Sequence, residues 1–274
     1  MSSKGGKYIE VTPGIELFIQ DIGTGDPIIF IPGFTFTTEV FDKQVAYFSK
    51  ENRVIVIDPR SHGRSTVTPY GNDYVTHGED LASVVQTLNL KNVTLVGWSF
   101  GCFTIWEYIK QHGITDIKSL VLIDMPPKSL SVNEGDWVEG DLDEIAAIYN
   151  TYLRSPEGQR EFFTDYSTQV MVQRELQADE LNWLVDQSLK TPYYIAGNLF
   201  ASGMFADYRE IATSASQSVP TLTIVAEHWA ETAASYIKSV YPGTKIEVLG
   251  GHMMFWEYGD KFNGIVDQFL KKST

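Results

Sequence analysis

The run Leu95-Val96-Gly97-Trp98-Ser99-Phe100-Gly101 carries the residues best suited to covalent chemistry. An apolar strand leads into Gly-x-Ser-x-Gly, and a helical pattern follows at once. A turn this sharp crowds the backbone, so small residues are needed two positions either side of the serine. The hydroxyl then stands at the carboxyl end of a sheet. The helix start behind it offers unpaired N–H groups and a positive dipole end, which favour a developing oxyanion. A serine hydroxyl is a poor nucleophile unaided, so it needs a base, and the base needs an orienting group. Of five histidines, His252 follows an apolar strand near the C-terminus, at the sheet edge where Ser99 is expected. His62 lies in a loop, His77 and His112 at helix ends, and His228 beside a later strand. Asp124 ends the apolar run Leu120-Val121-Leu122-Ile123 one strand after the serine, and it too should emerge at that edge.

These groups require a scaffold of alternating strands and helices. Strand candidates are residues 14–20, 27–31, 53–57, 93–96 and 119–123, rich in Val, Ile and Leu. The last four read as continuous apolar runs, the mark of strands covered on both faces. Thr76 and Glu79 have the spacing of a capping box ahead of Leu81, Val84, Val85 and Leu88. After Pro126-Pro127 the rhythm changes to helical stretches at 143–154, 156–169 and 179–190. It resumes with a strand at 219–226, a helix at 232–240 and a strand at 245–249. Phe262, Ile265, Val266, Phe269 and Leu270 mark a closing amphipathic helix. The pattern is an α/β core, residues 1–126 and 208–274, interrupted by a helical insertion of about 80 residues, 127–207.

Three stretches resemble the α/β-hydrolase fold superfamily: the Gly97–Gly101 motif, Ile31-Pro32-Gly33-Phe34, and Gly250-Gly251-His252 with Glu257 and Phe262. Asp58-Pro59-Arg60-Ser61-His62-Gly63-Arg64-Ser65 also resembles a loop of that family, with Ser61 where glycine is usual. The resemblance implies a mainly parallel eight-stranded sheet flanked by helices, with an inserted helical cap. It further implies an oxyanion site made by the N–H groups of Phe34 and Phe100, and a structural role for His62. The chain departs from the common pattern at the acid. After the seventh strand, where relatives place Asp or Glu, stands Ala226-Glu227-His228-Trp229, with tryptophan at the expected position. Indole cannot accept a histidine N–H. Asp124 takes the place that certain dehalogenases and cofactor-free quinolone dioxygenases of the superfamily use, with Glu231 and Glu227 as alternative acids.

The 274 residues include 43% hydrophobic side chains and 35 acidic against 21 basic ones, a net charge of −14. That balance disfavours nucleic acid and anionic membranes. No apolar run is long enough to span a bilayer, and the first seven residues do not read as a secretory signal. A single cysteine, Cys102, reads as an inert buried thiol and fits a reducing, cytoplasmic setting. No metal-ligand spacing or phosphate-cradling loop occurs, so no cofactor is expected. Oligomeric state is not legible. Many of the 35 aromatic residues fall beside the candidate site, where Phe36, Trp98, Met253 and Phe255 are expected to line a pocket, or in the insertion, which adds Trp137, Tyr149, Tyr152, Trp183, Tyr193, Tyr194, Phe200 and Phe205. The expected function is a serine hydrolase acting on a small hydrophobic or aromatic ester or lactone. A cofactor-free dioxygenase of 3-hydroxy-4-quinolone-type aromatics and a non-catalytic ligand receptor are the alternatives.

Overall fold

The computed structural model describes residues 6–272; the start of the N-terminal stretch read above lies outside them. Eight strands form one sheet in the order β1-β2-β4-β3-β5-β6-β7-β8. They are β1 (Gly6–Thr12), β2 (Ile15–Ile22), β3 (Pro27–Ile31), β4 (Arg53–Ile57), β5 (Val93–Trp98), β6 (Ile117–Ile123), β7 (Thr221–Val225) and β8 (Thr244–Val248). β1–β2 and β2–β4 pair antiparallel, and every later pair is parallel. β1 went unread in the sequence because Gly6, Lys7 and Glu10 break its apolar alternation at an exposed edge.

β5 and β7 are buried along their whole length, as expected of strands covered on both faces. α1 (Asp42–Phe48), α2 (Tyr74–Thr87) and α3 (Gly101–His112) belong to the first half of the chain. α2 starts on a different cap from the one its Thr76/Glu79 spacing suggested. The Asp73 carboxylate accepts from the Thr76 N–H, so Thr76 is inside the first turn. A short carboxylate ahead of the turn satisfies that N–H directly, and Glu79 instead meets His112.

Between β6 and β7 the chain is helical: α4 (Leu142–Tyr152), α5 (Pro156–Tyr166), α6 (Ala178–Ser188), α7 (Tyr193–Met204) and α8 (Arg209–Ser218). α4 opens with a true capping box, Asp141 with Glu144, and α5 has Ser155 as cap with Pro156 in the first turn, where a missing N–H costs nothing. α5 runs on into a wide π-type turn, Ser167–Met171. α7 and α8 were unread, since α7 is apolar nearly all round and α8 is rich in Ser, Thr and Ala. α9 (Ala230–Val240), α10 (Met254–Glu257) and α11 (Gly259–Lys272) complete the chain. Phe262, Val266 and Phe269 face the core from α11. Among the described residues no helix is long and apolar enough to cross a membrane.

Candidate active site

Ser99 follows β5 directly. Its N–H donates to the Ile123 carbonyl (2.8 Å), one step beyond the β5–β6 ladder, and its φ of 52° lies in the left-handed region. Non-glycine residues held there carry strain, which collects at functional turns. The flanking glycines are a packing necessity. A Cβ on Gly101 would sit 2.4 Å from the Ile31 carbonyl oxygen, and one on Gly97 2.9 Å from the Cys102 nitrogen.

Asp124 repeats the arrangement one strand along. Its N–H donates to the Ile224 carbonyl (2.8 Å), and its φ is 49°. Both carboxylate oxygens are engaged: Oδ1 accepts the Ala226 N–H (2.8 Å) and Oδ2 meets His252 Nδ1 (2.7 Å). An ionised carboxylate only accepts, so the Asp124 contact fixes the imidazole proton on Nδ1 and leaves Nε2 as the basic nitrogen. Both side chains are almost wholly buried.

The loop bearing His252 is held by three further hydrogen bonds, from two directions. Trp98 Nε1 donates to the His252 carbonyl (2.9 Å). The N–H groups of His252 and Met253 donate to the carbonyls of Val170 and Met171 in the π-type turn (3.1 and 2.7 Å). A segment of the helical insertion thus helps to hold the histidine, a role that no spacing in the sequence announces.

Ser99 and His252 open onto one cavity of about 370 Å³. They are not hydrogen-bonded to each other, and such contacts are commonly long before substrate binds. Phe34 and Phe100 line the same cavity, and neither backbone N–H is committed to another acceptor. Phe36 and Trp98 line it as expected, but Met253 and Phe255 do not. Both are fully buried beneath it, Phe255 against Phe41, Trp98 and Phe262. The turn that points His252 at the cavity sends the next residues into the core. The insertion supplies Ile145, Ile148, Phe162, Phe163, Tyr166 and Phe200 among other walls. Trp183 instead stacks on Trp256.

The alternative acids lie elsewhere. Glu227 binds the Gln173 amide (2.7 Å) and the Gly250 N–H (3.3 Å). Glu231 is exposed in the first turn of α9. Trp229, at the position where an acid is common, lines the cavity. The sequence reading missed Glu139, also a cavity residue, in a loop without motif or periodicity.

The Asp58–Ser65 loop is a brace. Asp58 accepts the N–H groups of Thr38 (2.6 Å) and Arg64 (2.9 Å), steadying the chain after Phe34. His62 binds the Arg60 carbonyl (2.8 Å), and burial lowers its pKa to about 4, so it stays neutral. Ser61 has a φ of 62°, which explains why glycine is usual there. Arg60 is spent on Asp80, and Arg64 lies 3.7 Å over the Phe18 ring; neither reaches the cavity. Burial also pushes the Cys102 thiol far up, out of reactive range. Among the described residues no cluster of His, Cys, Asp or Glu could hold a metal ion.

A strand–turn–helix serine, a buried Asp–His pair from the next strand ends and free N–H groups opposite are arranged around one apolar cavity. Residues 26–195 match the alpha/beta hydrolase fold family, and the chain belongs to that family and is an enzyme of its class. It is 25% identical over 273 residues to the AB hydrolase superfamily protein YisY of Bacillus subtilis (strain 168), covering 96% of this chain and 98% of that one. Over 132 residues it is 31% identical to the bifunctional esterase/perhydrolase DCH of Acinetobacter calcoaceticus, covering 47% and 48%. The fold is that of the bromoperoxidase from Bacillus anthracis, with a TM-score of 0.87, 22% identity, and 97% and 99% of the two chains covered.

Proposed function

We propose that the chain is a serine hydrolase that cleaves a carboxylic ester or lactone of a small hydrophobic or aromatic substrate. The observation that carries the reading is the buried Asp124–His252 pair, opening onto the cavity that Ser99 shares. His252 Nε2 takes the Ser99 proton as Oγ attacks the carbonyl carbon. The N–H groups of Phe34 and Phe100 receive the oxyanion of the tetrahedral intermediate, where preorganised donors in an apolar site act most strongly. The imidazolium, steadied by Asp124, returns the proton to the departing alcohol, leaving an acyl-serine. Water deprotonated by the same histidine then releases the acid. The apolar walls favour a hydrophobic acyl or alcohol group.

A second reading is favoured by the likeness to an esterase/perhydrolase. Hydrogen peroxide in place of water would release the same acyl group as a peracid, with every residue in the same role. The deciding experiment is labelling with a fluorophosphonate and mapping of the modified residue. Modification of Ser99, abolished in Ser99→Ala together with p-nitrophenyl ester turnover, is the expected result. An unlabelled Ser99 with full esterase activity would overturn the assignment. Oxygen uptake with a 3-hydroxy-4-quinolone and no labelling would point to the dioxygenase chemistry instead.

A further inference from the structure

Ser99 and His252 are not the cavity's only polar groups. Glu139 lines it too, and no Lys or Arg does among the described residues. The carboxylate of Glu139 accepts no hydrogen bond and joins no ion pair among the described residues, although the residue is only partly exposed. It is also firmly carried. The Glu139 N–H donates to the Ser129 carbonyl (2.9 Å), and the Ser131 N–H to the Gly140 carbonyl (3.2 Å). Ser129 Oγ reaches the Gly203 carbonyl on α7 (3.3 Å), and Trp137 two residues earlier is fully buried. A loop pinned in this way holds a bare carboxylate at a cavity wall at a real desolvation cost. The cavity it shares is walled by aromatic rings, including Phe34, Phe162 and Trp229, and Tyr166 is close enough to feel its charge. A carboxylate among aromatic faces is the combination that receives an ammonium group, through charge and through the ring quadrupoles. A net charge of −14 also raises the local concentration of cations.

We propose that Glu139 selects substrates carrying a cationic nitrogen, an ammonium or quaternary ammonium group seated between its carboxylate and the aromatic walls. The turnover consequence rests on the hydrolase reading above, whereas the binding consequence does not. Burial pushes the Glu139 pKa up to about 7, opposed by His252 and reinforced by Asp124. The titratable groups facing it are His252 and Asp124 at the sheet edge, Tyr166 on α5, whose hydroxyl is raised by burial, and His228 after β7, whose ring is lowered by burial. None of them is a lysine or an arginine.

The test compares two ligands of one shape, phenyltrimethylammonium and tert-butylbenzene, by calorimetry on the wild type and Glu139→Gln. The ratio of cation affinity to neutral affinity is expected to fall about tenfold or more in the variant, with the neutral affinity unchanged. Should that variant not fold, Glu139→Met supplies the same comparison at similar side-chain length. An unchanged ratio, or equal weakening of both ligands, overturns the proposal. The two readings fail separately. Fluorophosphonate labelling of Ser99 without a charge-dependent ratio sinks the Glu139 inference alone, and the ratio without labelling sinks the hydrolase reading alone.

Discussion

Asp124→Asn tests the proposed triad sharply, because the structure dictates how the new amide must lie. Oδ1 of Asp124 accepts the Ala226 N–H and Oδ2 meets His252 Nδ1. An asparagine that keeps its oxygen on Ala226 turns its NH₂ towards Nδ1. The reverse orientation sets NH₂ against a buried N–H and leaves both donors unsatisfied, which costs about 1–3 kcal/mol. The first orientation therefore prevails. It demands a lone pair on Nδ1, drives the imidazole proton to Nε2, and removes the acceptor that Ser99 needs. Loss of the correct tautomer in a triad costs about 10⁴-fold in kcat, or roughly 5.5 kcal/mol of transition-state stabilisation. The expected result with a p-nitrophenyl ester is a fall of that order in kcat, with KM little changed and the fold intact by circular dichroism. Nitrogen-15 NMR of His252 should show the proton moved from Nδ1 to Nε2. Activity within about tenfold of wild type, or a collapse produced instead by Glu227→Gln or Glu231→Gln, would refute the reasoning.

Two further outcomes follow from contacts around the same residues. Trp98→Phe removes the donor to the His252 carbonyl (2.9 Å) while Asp124 and the π-type turn still hold the loop. A fall in kcat of about threefold to tenfold is expected, the size of one lost hydrogen bond, measured with the same ester; an unchanged kcat would show that the indole does not position the histidine. Glu139→Gln should alter the pH dependence of stability. The folded carboxyl, raised to about 7, stays protonated where the unfolded one has ionised. The native state therefore binds more protons between roughly pH 4.5 and 7, and its stability falls as pH rises through that window. Relative to wild type, the variant should gain about 2–3 kcal/mol between pH 5 and pH 8 in urea titrations, whereas parallel profiles would contradict the shift.

The parts of the molecule that the sequence revealed are those where local chemistry and global placement coincide. Ser99 needs its glycines because the Ile31 carbonyl and the Cys102 nitrogen leave no room for a Cβ, so the motif is written into the chain by sterics. β3 and β5 were legible as apolar runs because both of their faces are covered. Edge strand β1 and the apolar helix α7 were not, since exposure in one case and burial all round in the other erase the periodicity. The cavity was harder still. Phe162, Phe163 and Tyr166 reach it from α5, while most of the aromatic residues singled out in the insertion pack elsewhere. Which face of an inserted helix meets the sheet depends on tertiary packing that no single-chain pattern encodes. Glu139 was invisible for the same reason, being a lone carboxylate in an irregular loop.

The Trp229 substitution and the position of Asp124 belong to one arrangement. Once the carboxylate that grips His252 comes from the end of β6, the position after β7 no longer has to carry an acid. Here that position presents an indole to the cavity, while the neighbouring Ala226 N–H, at the end of β7, is left to hold Asp124 Oδ1. In the proposed triad, an acid one strand inward leaves an aromatic wall at that corner of the site. It also buries the Asp–His pair almost completely, so that the histidine's orientation is fixed by groups that bulk water cannot reach. In such a cavity an additional uncompensated charge has an effect it would lack at the surface. Above its raised pKa of about 7 Glu139 is the residue that supplies it, and it stands within electrostatic reach of both members of the pair.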